Sequence, residues 1–257
     1  MAPGIWQHSR RMDKQGAHQQ TSGGRALVAG DPAGLERTLR ALEAGQGLQL
    51  FAYGSLIWRP DFAYAEMRPA RVHGYHRTLR MRSNIYRGTD SQPGLVLALI
   101  PGGSCDGVLY RIGPERAEVV LRQVWAREMV SGVYLPRWLT CRGRDGAALG
   151  KALAFTLPRR SPSLVRPLPD EDLLRVLRHA RGRYGSTLEY LRNTVASLRE
   201  HGIHDRDLER QCALATHHGL CEGLPPAQRA ARRRAGAAAD GGSPSTAGSS
   251  TSTPCAG

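Results

Sequence analysis

A glycine turn that follows an apolar strand is the first feature of the sequence with the residue types to bind a substrate. The apolar run 48–51 is followed closely by Tyr53, Gly54 and Ser55. A glycine just past a strand lets the backbone turn and leaves consecutive amide groups pointing at one spot, which binds a carboxylate or an oxyanion. The same pattern also suits a purely structural strand end, so both interpretations stay open at this point.

A carboxylate at the end of a predicted helix is the second candidate. Glu128 lies shortly before Gly132 and a predicted strand, in a neighbourhood with several apolar side chains. Partial burial there raises the pKa of a carboxyl group and makes it a better proton acceptor. The alternative, which spacing alone favours, is that Glu128 forms a surface ion pair with Arg127 or Arg122.

Neither a metal site nor a disulfide framework is predicted. The five cysteines are odd in number, widely spaced and without a C-x-x-C pair. Cys105 and Cys141 fall in strand-like runs and are interpreted as small core residues. The adjacent His217 and His218 cannot easily face one ion. This cysteine usage indicates a reducing cytoplasm.

The elements that must position these residues follow an α+β order. Asp31 and Pro32 predict the start of a short helix that Gly45 ends. Strands are predicted at 48–51, 72–81, 95–100, 107–112, 132–141 and 151–157. Helices are predicted from Pro114 to Met129 and over Pro169–Arg181, Ser186–His201 and Asp205–His217. Five or six strands at this spacing indicate a barrel or a strongly curled sheet, and strands before helices exclude a doubly wound parallel sheet.

Charge and composition narrow the classes of partner. The net charge of +14 would favour nucleic acid if it were clustered, but +2 falls in 1–47, +9 in 48–222 and +3 in 223–257. We therefore expect no nucleic-acid partner. No apolar run approaches the roughly 18 residues of a membrane span, and the N-terminal residues lack the apolar stretch of a secretory signal. Both observations favour a cytoplasmic protein without a membrane partner.

Composition also divides the chain. Residues 1–30 are rich in Gln, Gly, His and Ser, and 223–257 end in a Gly-, Ser- and Thr-rich stretch, so both are predicted to be disordered tails. The length leaves room for one domain between them. Residues 31–47 hold the short first helix, and 48–222 are expected to form the catalytic domain.

Six segments, taken together, resemble the ChaC-type, glutathione-specific γ-glutamylcyclotransferases. In chain order they are FAYGSLIWRPDFAY at 51–64, RVHGYHRTL at 71–79, RGTDSQPGLVLAL at 87–99, GGSCDGVLYRI at 102–112, WAREMVSGVYLPRW at 125–138 and YGSTLEYLRNTVASLREHGIHD at 184–205. They keep the order of that family and cover most of residues 48–210. The resemblance implies a β-barrel or curled mixed sheet with flanking helices, and it leaves 31–47 outside the match.

The resemblance also implies a reaction. Enzymes of this family cleave glutathione to 5-oxoproline and Cys-Gly by attack of the α-amine of the substrate on its own γ-carbonyl, which requires neither a cofactor nor a metal. The proton acceptor of the family falls on Glu128. The turn that binds the γ-glutamyl group falls on Ala52, Tyr53, Gly54, Ser55, Leu56 and Ile57.

Three further residues are candidates for substrate contact. Tyr134 is a hydrogen-bond partner near the site or an ordinary packing residue of a strand. Arg87 and Arg82 suit the glycine carboxylate of glutathione, with a plain surface position as the alternative.

Two departures from the family bear on specificity. Ala52 stands where many relatives have glycine, and 158–169 lack a tyrosine that relatives commonly place near the substrate. These departures keep open an enzyme of the same fold that acts on another γ-glutamyl amine. A non-enzymatic regulator of cation transport is the other alternative, against which the retained Glu128 and glycine turn argue.

Overall fold

Five strands close into a barrel within the two ranges, 31–42 and 47–222, that the computed structural model describes. The strands are β1 (Leu48–Ala52), β2 (Glu66–Ser83), β3 (Gly94–Ile112), β4 (Leu135–Arg142) and β5 (Ala148–Thr156). Their order around the barrel is β1-β3-β2-β4-β5. The predicted tails 1–30 and 223–257, and the predicted helix end at Gly45, lie outside the described residues.

Helices flank the barrel and follow it along the chain. They are α1 (Pro32–Arg40), α2 (Ser55–Trp58), α3 (Pro114–Glu128), α4 (Asp170–His179), α5 (Thr187–Glu200) and α6 (Arg206–His217). Two short strands that the sequence did not indicate, β6 (Arg181–Gly182) and β7 (Gly185–Ser186), pair with each other. The α+β class and the barrel are confirmed. No helix among the described residues has the length and apolar character to cross a membrane.

The barrel closes where its first and last strands meet. β1 pairs antiparallel with β3, and on its other edge it runs parallel to β5, with Leu50 opposite Leu153. The end of β1 approaches β3 very closely at Gly107, because a Cβ atom there would lie 2.4 Å from the carbonyl oxygen of Ala52. Only glycine allows this approach, and the chain that leaves β1 therefore runs tightly past β3.

The predicted break between two strands at Pro101–Gly103 is wrong. Residues 95–100 and 107–112 belong to one continuous strand, β3, which pairs along its length with β2. Gly102 and Gly103 have φ values of 106° and 72°, which glycine adopts without strain. On the partner strand the register shifts between His73 and Tyr75. The Pro-Gly-Gly sequence thus forms an irregularity inside the hairpin and not a turn between strands.

The predicted strand 132–141 begins later than expected. β4 starts at Leu135, because Gly132 has a φ of 64° and its amide donates to the carbonyl of Met129 in a turn that closes α3. Tyr134 therefore lies in the loop between α3 and β4 and not in a strand.

The predicted helix starts are confirmed by their caps. The Asp31 side chain accepts a hydrogen bond from the Gly34 amide, 2.8 Å away, with Pro32 in the first turn. Ser186 accepts from the Glu189 amide at the start of α5, at 3.1 Å. Each cap satisfies an amide that has no partner within its helix.

Helix α3 is fixed to the barrel by its apolar face. Trp125 is 1% exposed and meets the ring of Phe155 edge to face, with the ring centroids 6.0 Å apart. Val120 and Leu121 on the same face are also buried. The position of the C-terminal end of α3, where Glu128 lies, therefore depends on this packing.

We predict that Trp125→Ala lowers the free energy of unfolding by about 3–5 kcal/mol, as for other buried tryptophans, because it leaves a large cavity between α3 and β5. Val119→Ala, on the exposed face of the same helix, changes it by about 0.5 kcal/mol at most. Denaturant unfolding of both variants measures the difference. Equal stabilities for the two variants would contradict the role of Trp125.

Candidate active site

Most of the candidate residues indicated by the sequence line one cavity of about 810 Å³. It is lined by the turn after β1, the end of β2 with the loop that follows, the last turn of α3 and parts of β3 and α5. Its volume lies in the usual range for a site that encloses a small molecule. The cavity is therefore the candidate active site.

The turn after β1 folds directly into the single helical turn α2. Gly54 is the N-cap of α2, and the hydroxyl of Tyr110 lies 3.0 Å from the carbonyl oxygen of Leu56 and 3.2 Å from that of Ile57. A Cβ atom on Gly54 would lie only 3.0 Å from the Tyr190 hydroxyl. The close approach of a phenol to the backbone thus favours a glycine here, which the sequence did not reveal.

Glu128 is the last residue of α3, and its carboxylate lies in the cavity with 17% of the side chain exposed. Burial raises the pKa of this carboxyl group, and the nearby Arg127 guanidinium lowers it in part. The Nε atom of Arg127 is 3.3 Å from Glu128 Oε1. Arg122 pairs with Glu118 and Glu36 instead, so the surface ion-pair interpretation is wrong for Arg122.

Arg127 does more than the sequence suggested. Its guanidinium donates to Ser55 Oγ at 2.9 Å, donates to the Arg59 carbonyl and lies 3.4 Å from Asp61 Oδ2. One side chain therefore joins the carboxylate of Glu128 to the glycine turn. Sequence reasoning identified Arg127 only as a possible surface partner, because the residues around Ser55 are far away in sequence.

Three buried phenols surround the carboxylate. The Tyr53 hydroxyl donates to the Phe155 carbonyl at 2.8 Å, and the Tyr134 hydroxyl donates to the Leu97 carbonyl at 3.4 Å. Burial raises the pKa of both, and the charge of Glu128 raises them further. Burial also raises the pKa of Tyr190, to about 12. All three are therefore neutral hydrogen-bonding groups at physiological pH.

Tyr190 was missed in the sequence. It lies in the segment 184–205, one of the six that resemble the family, but nothing in its spacing relates it to Gly54. Its hydroxyl accepts a hydrogen bond from the Leu97 amide at 3.3 Å. Only the packing of α5 on the barrel brings it to the cavity.

Arg87 is buried and lines the cavity, so its surface interpretation is wrong. Its guanidinium carbon lies 5.2 Å from the centroid of the Tyr190 ring and 5.7 Å from that of Trp58. Glu189 Oε2 is 3.8 Å from its Nη1 atom. Aromatic faces and one distant carboxylate hold this cation in the wall.

The charged residues of the lining are mostly cationic. The lining holds four arginines, among them Arg82, and two carboxylates. The cationic residues are Arg59, Arg82, Arg87 and Arg127, and the acidic residues are Asp61 and Glu128. This excess of positive charge favours an anionic ligand.

Two predicted site residues are not brought to the cavity. Ala52 is 1% exposed at the end of β1, where it pairs with Val108, and Ile57 is buried within α2 and is not part of the lining. The Ala52 methyl group therefore does not line the cavity. Tyr53, Gly54, Ser55 and Leu56 do line it, together with Glu128, Tyr134 and Arg87.

The segment 158–169, which lacks the tyrosine common in the family, contributes only Pro162 and Ser163 to the lining. Two tyrosines that sequence reasoning missed, Tyr86 and Tyr184, also line the cavity and stack with ring centroids 5.1 Å apart and 14° between planes. Tyr184 is 46% exposed, and Arg59 lies over its ring at 5.4 Å. We call these two tyrosines with Arg59 the aromatic rim.

Metal-binding side chains are not grouped in the described part of the chain. No cluster of three or more histidine, cysteine or acidic residues there has the arrangement of a metal site. The rings of His217 and His218 meet edge to face, with centroids 5.2 Å apart. Cys105 and Cys141 are buried in the barrel, as expected of core residues.

Comparison with known proteins identifies the family of this chain. The family model described as ChaC-like protein matches residues 48–216, which include the glycine turn, Glu128 and Tyr190. The chain belongs to the ChaC-like family. The match begins at residue 48 and omits α1.

Several curated relatives carry the same activity in their names. The chain is 33% identical over 176 residues to the glutathione-specific gamma-glutamylcyclotransferase of Escherichia coli, covering 68% of this chain and 76% of that protein. It is 36% identical over 149 residues to the human glutathione-specific gamma-glutamylcyclotransferase 1, covering 57% and 67%. A crystal structure of the yeast enzyme specific to glutathione matches with a TM-score of 0.61 at 22% identity, covering 67% of this chain and 97% of that one. This last likeness establishes the fold.

We predict that the pKa of Glu128 lies above that of an exposed glutamate and that Arg127→Gln raises it further, because the substitution removes the cation that stabilises the carboxylate. Carboxyl carbon NMR on labelled protein measures the pKa. Arg122→Gln is the matched control, since Arg122 is on the same helix but bonds Glu118. A lower pKa in Arg127→Gln would contradict the assignment of its charge.

Proposed function

We propose that this protein is a γ-glutamylcyclotransferase that cleaves glutathione to 5-oxoproline and Cys-Gly. The observation that carries the proposal is a partly buried carboxylate, Glu128, in one cation-rich cavity with the glycine turn, in a member of the ChaC-like family. The names of the curated relatives support glutathione as the substrate.

The charges of the cavity agree with this substrate. Glutathione carries two carboxylates and one ammonium group near neutral pH, so it is an anion. Four arginines against two carboxylates in the lining favour its entry. Because Glu128 is itself anionic when it acts, it also attracts the α-ammonium that must be deprotonated.

The reaction then needs one group that carries protons and hydrogen-bond donors that stabilise an oxyanion. Glu128 takes a proton from the α-ammonium, and the freed amine attacks the γ-carbonyl carbon to form the ring C–N bond. The carbonyl oxygen becomes an oxyanion in the tetrahedral intermediate. After the attack the ring nitrogen still carries one proton too many. The amide bond to cysteine breaks when Glu128 gives its proton to the leaving nitrogen, and Glu128 then passes the extra proton of the ring nitrogen to the same amine. Two protons move from one nitrogen to the other, Cys-Gly leaves as an ammonium, and no proton is gained or lost overall.

The glycine turn is suited to hold the glutamyl end or the oxyanion. Ser55 and Leu56 are the first residues of α2, so their amides have no partner within the helix. Such amides bind negative charge without reorganisation. The raised pKa of Glu128 suits its role, because a stronger base accepts the proton of an ammonium more readily.

The neutral phenols of Tyr53 and Tyr134 are suited to orient the substrate. Their hydroxyls are already engaged with the backbone carbonyls of Phe155 and Leu97, which fixes the rings. Fixed rings hold the flexible glutamyl chain in the folded shape that ring closure requires. Arg87 is suited to a carboxylate of glutathione, since it is buried beside Tyr190 near the turn.

We also propose that the protein acts in the cytoplasm, without a nucleic-acid or membrane partner. The cysteines of the described residues are free, which suits a reducing compartment. The positive charge of the chain is spread over it and not gathered in one segment.

We predict that Glu128→Gln folds but loses cyclotransferase activity by about 10²- to 10⁴-fold, because the amide has nearly the same size and cannot accept the proton. Release of 5-oxoproline from glutathione, followed by mass spectrometry, measures the loss. Glu118→Gln, on the exposed part of the same helix, serves as the control and retains activity. A Glu128→Gln variant with a large share of the original turnover would remove Glu128 from the mechanism.

We predict that oxidised glutathione is a poor substrate. Its second half is joined through the thiol and must fit past the aromatic rim, where Tyr86 and Tyr184 are stacked. A lost contact at such a rim costs about 1–3 kcal/mol and appears mainly in KM. Steady-state kinetics on both forms decide the matter, since equal kcat/KM values would mean that only the γ-glutamyl end is recognised.

A further inference from the structure

A buried arginine outside the cavity touches the backbone of the glycine turn. Arg77 lies on β2, and its side chain is 3% exposed. Its Nη1 atom donates to the carbonyl of Tyr53 at 3.0 Å and to the carbonyl of Asp106 at 3.0 Å. Arg77 is not among the residues that line the cavity, so it reaches the turn from behind.

An aspartate holds this arginine in place. The Nε and Nη2 atoms of Arg77 donate to Asp205 Oδ2 at 2.9 and 2.8 Å. The other carboxylate oxygen of Asp205 accepts from the Leu208 amide at 3.1 Å and caps α6. Arg77 therefore joins β2, β3, the turn after β1 and the start of α6 through one planar group.

The peptide bond transmits this contact to the binding face of the turn. The carbonyl of Tyr53 and the amide of Gly54 belong to the same planar peptide unit, in which C=O and N–H point in opposite directions. Because Arg77 binds the carbonyl, the Gly54 N–H must point away from Arg77. Gly54 lines the cavity and Arg77 does not.

A gain in stability is a weak explanation for the buried ion pair of Arg77 and Asp205. Removing two opposite charges from water costs about as much as their attraction returns, so a buried ion pair adds little net stability. A guanidinium offers its donors in a rigid fork, and it can fix several acceptors at set positions where an ammonium cannot. This favours a role in placing the Tyr53 carbonyl.

We propose that Arg77, held by Asp205, is a positioning residue that sets the direction of the Gly54 amide in the turn that binds the γ-glutamyl group. The proposal rests on the proposed function for its effect on catalysis. It adds to that function a requirement outside the cavity, since neither residue touches the space that the substrate would occupy.

Arg77→Lys tests the proposal without leaving Asp205 as an unpaired buried charge. We expect kcat for glutathione to fall on the order of 10²-fold, because a small misplacement of the turn spoils ring-closing geometry, while KM changes by less than about threefold. The pH at which activity falls on the acid side stays unchanged, because that limb reports Glu128, which Arg77 does not contact.

Arg199→Lys is the matched control. Arg199 makes a similar ion pair, with Nε 2.8 Å from Glu209 Oε1, but joins α5 to α6 away from the turn. We expect this variant to keep kcat within about twofold of the original protein, whatever its effect on thermal unfolding. A kcat loss in Arg199→Lys as large as that in Arg77→Lys would overturn the proposal, because general loosening of the helices would then explain both.

Hydrogen exchange separates this proposal from the proposed function. We expect the peptide covering residues 51–58 to exchange its amides faster in Arg77→Lys than in the original protein or in Arg199→Lys. If the original protein releases no 5-oxoproline, the proposed function fails and this exchange measurement alone decides the positioning role. Unchanged exchange, or a kcat within about twofold of the original in Arg77→Lys, would overturn it.

Asp205→Asn provides a second variant if Arg77→Lys does not fold. Asparagine still caps α6, but it removes the charge that holds Arg77. We expect about a tenfold loss of kcat with a smaller change of KM. A wild-type kcat in the folded Asp205→Asn protein would overturn the proposal.

Discussion

The contact between Arg127 and Glu128 is the interaction on which the rest of the site depends. A carboxylate that is removed from water is costly unless a cation lies close by, and a cation that lies too close would weaken it as a base. At 3.3 Å from Nε, and with burial still dominant, Glu128 keeps a raised pKa while remaining ionisable. The same guanidinium binds Ser55, so the charge and the turn are located together.

This dependence explains why the barrel carries its helix where it does. α3 must end at the cavity for its last residue to share the lining with the turn, and the buried face with Trp125 fixes that end. The phenols of Tyr53 and Tyr134 then surround the carboxylate without adding charge. A neutral shell is needed, because another ionised group at that distance would alter the basicity of Glu128 again.

Local patterns in the sequence were sufficient for the class of fold, and they singled out the glycine turn and the carboxylate as candidates, whose roles stay predictions. The turn and the carboxylate each depend on a short segment of sequence: Tyr53 and Gly54 follow an apolar strand, and Glu128 comes shortly before Gly132. The unbroken β3 was not predictable in the same way, because Pro-Gly-Gly marks a turn unless a long partner strand absorbs the irregularity.

The remaining parts of the site depend on contacts between distant segments. Tyr190 reaches Gly54, Tyr86 stacks on Tyr184, and Arg127 binds Ser55 only after the chain has folded. No periodicity or spacing within one segment encodes such pairs. The exclusion of Ala52 from the cavity is of the same kind, since it follows from which face of β1 turns inward.

The parallel pairing of β1 with β5 has a consequence for the order of folding. Leu50 meets Leu153 across the closing edge, and the hydroxyl of Tyr53 crosses the same seam to the carbonyl of Phe155, 102 residues along the chain. Contacts this distant in sequence form late, because a large loop must first be closed at an entropic cost. The long hairpin of β2 and β3 can form earlier from local contacts. The turn after β1 therefore reaches its final position only when the barrel has closed.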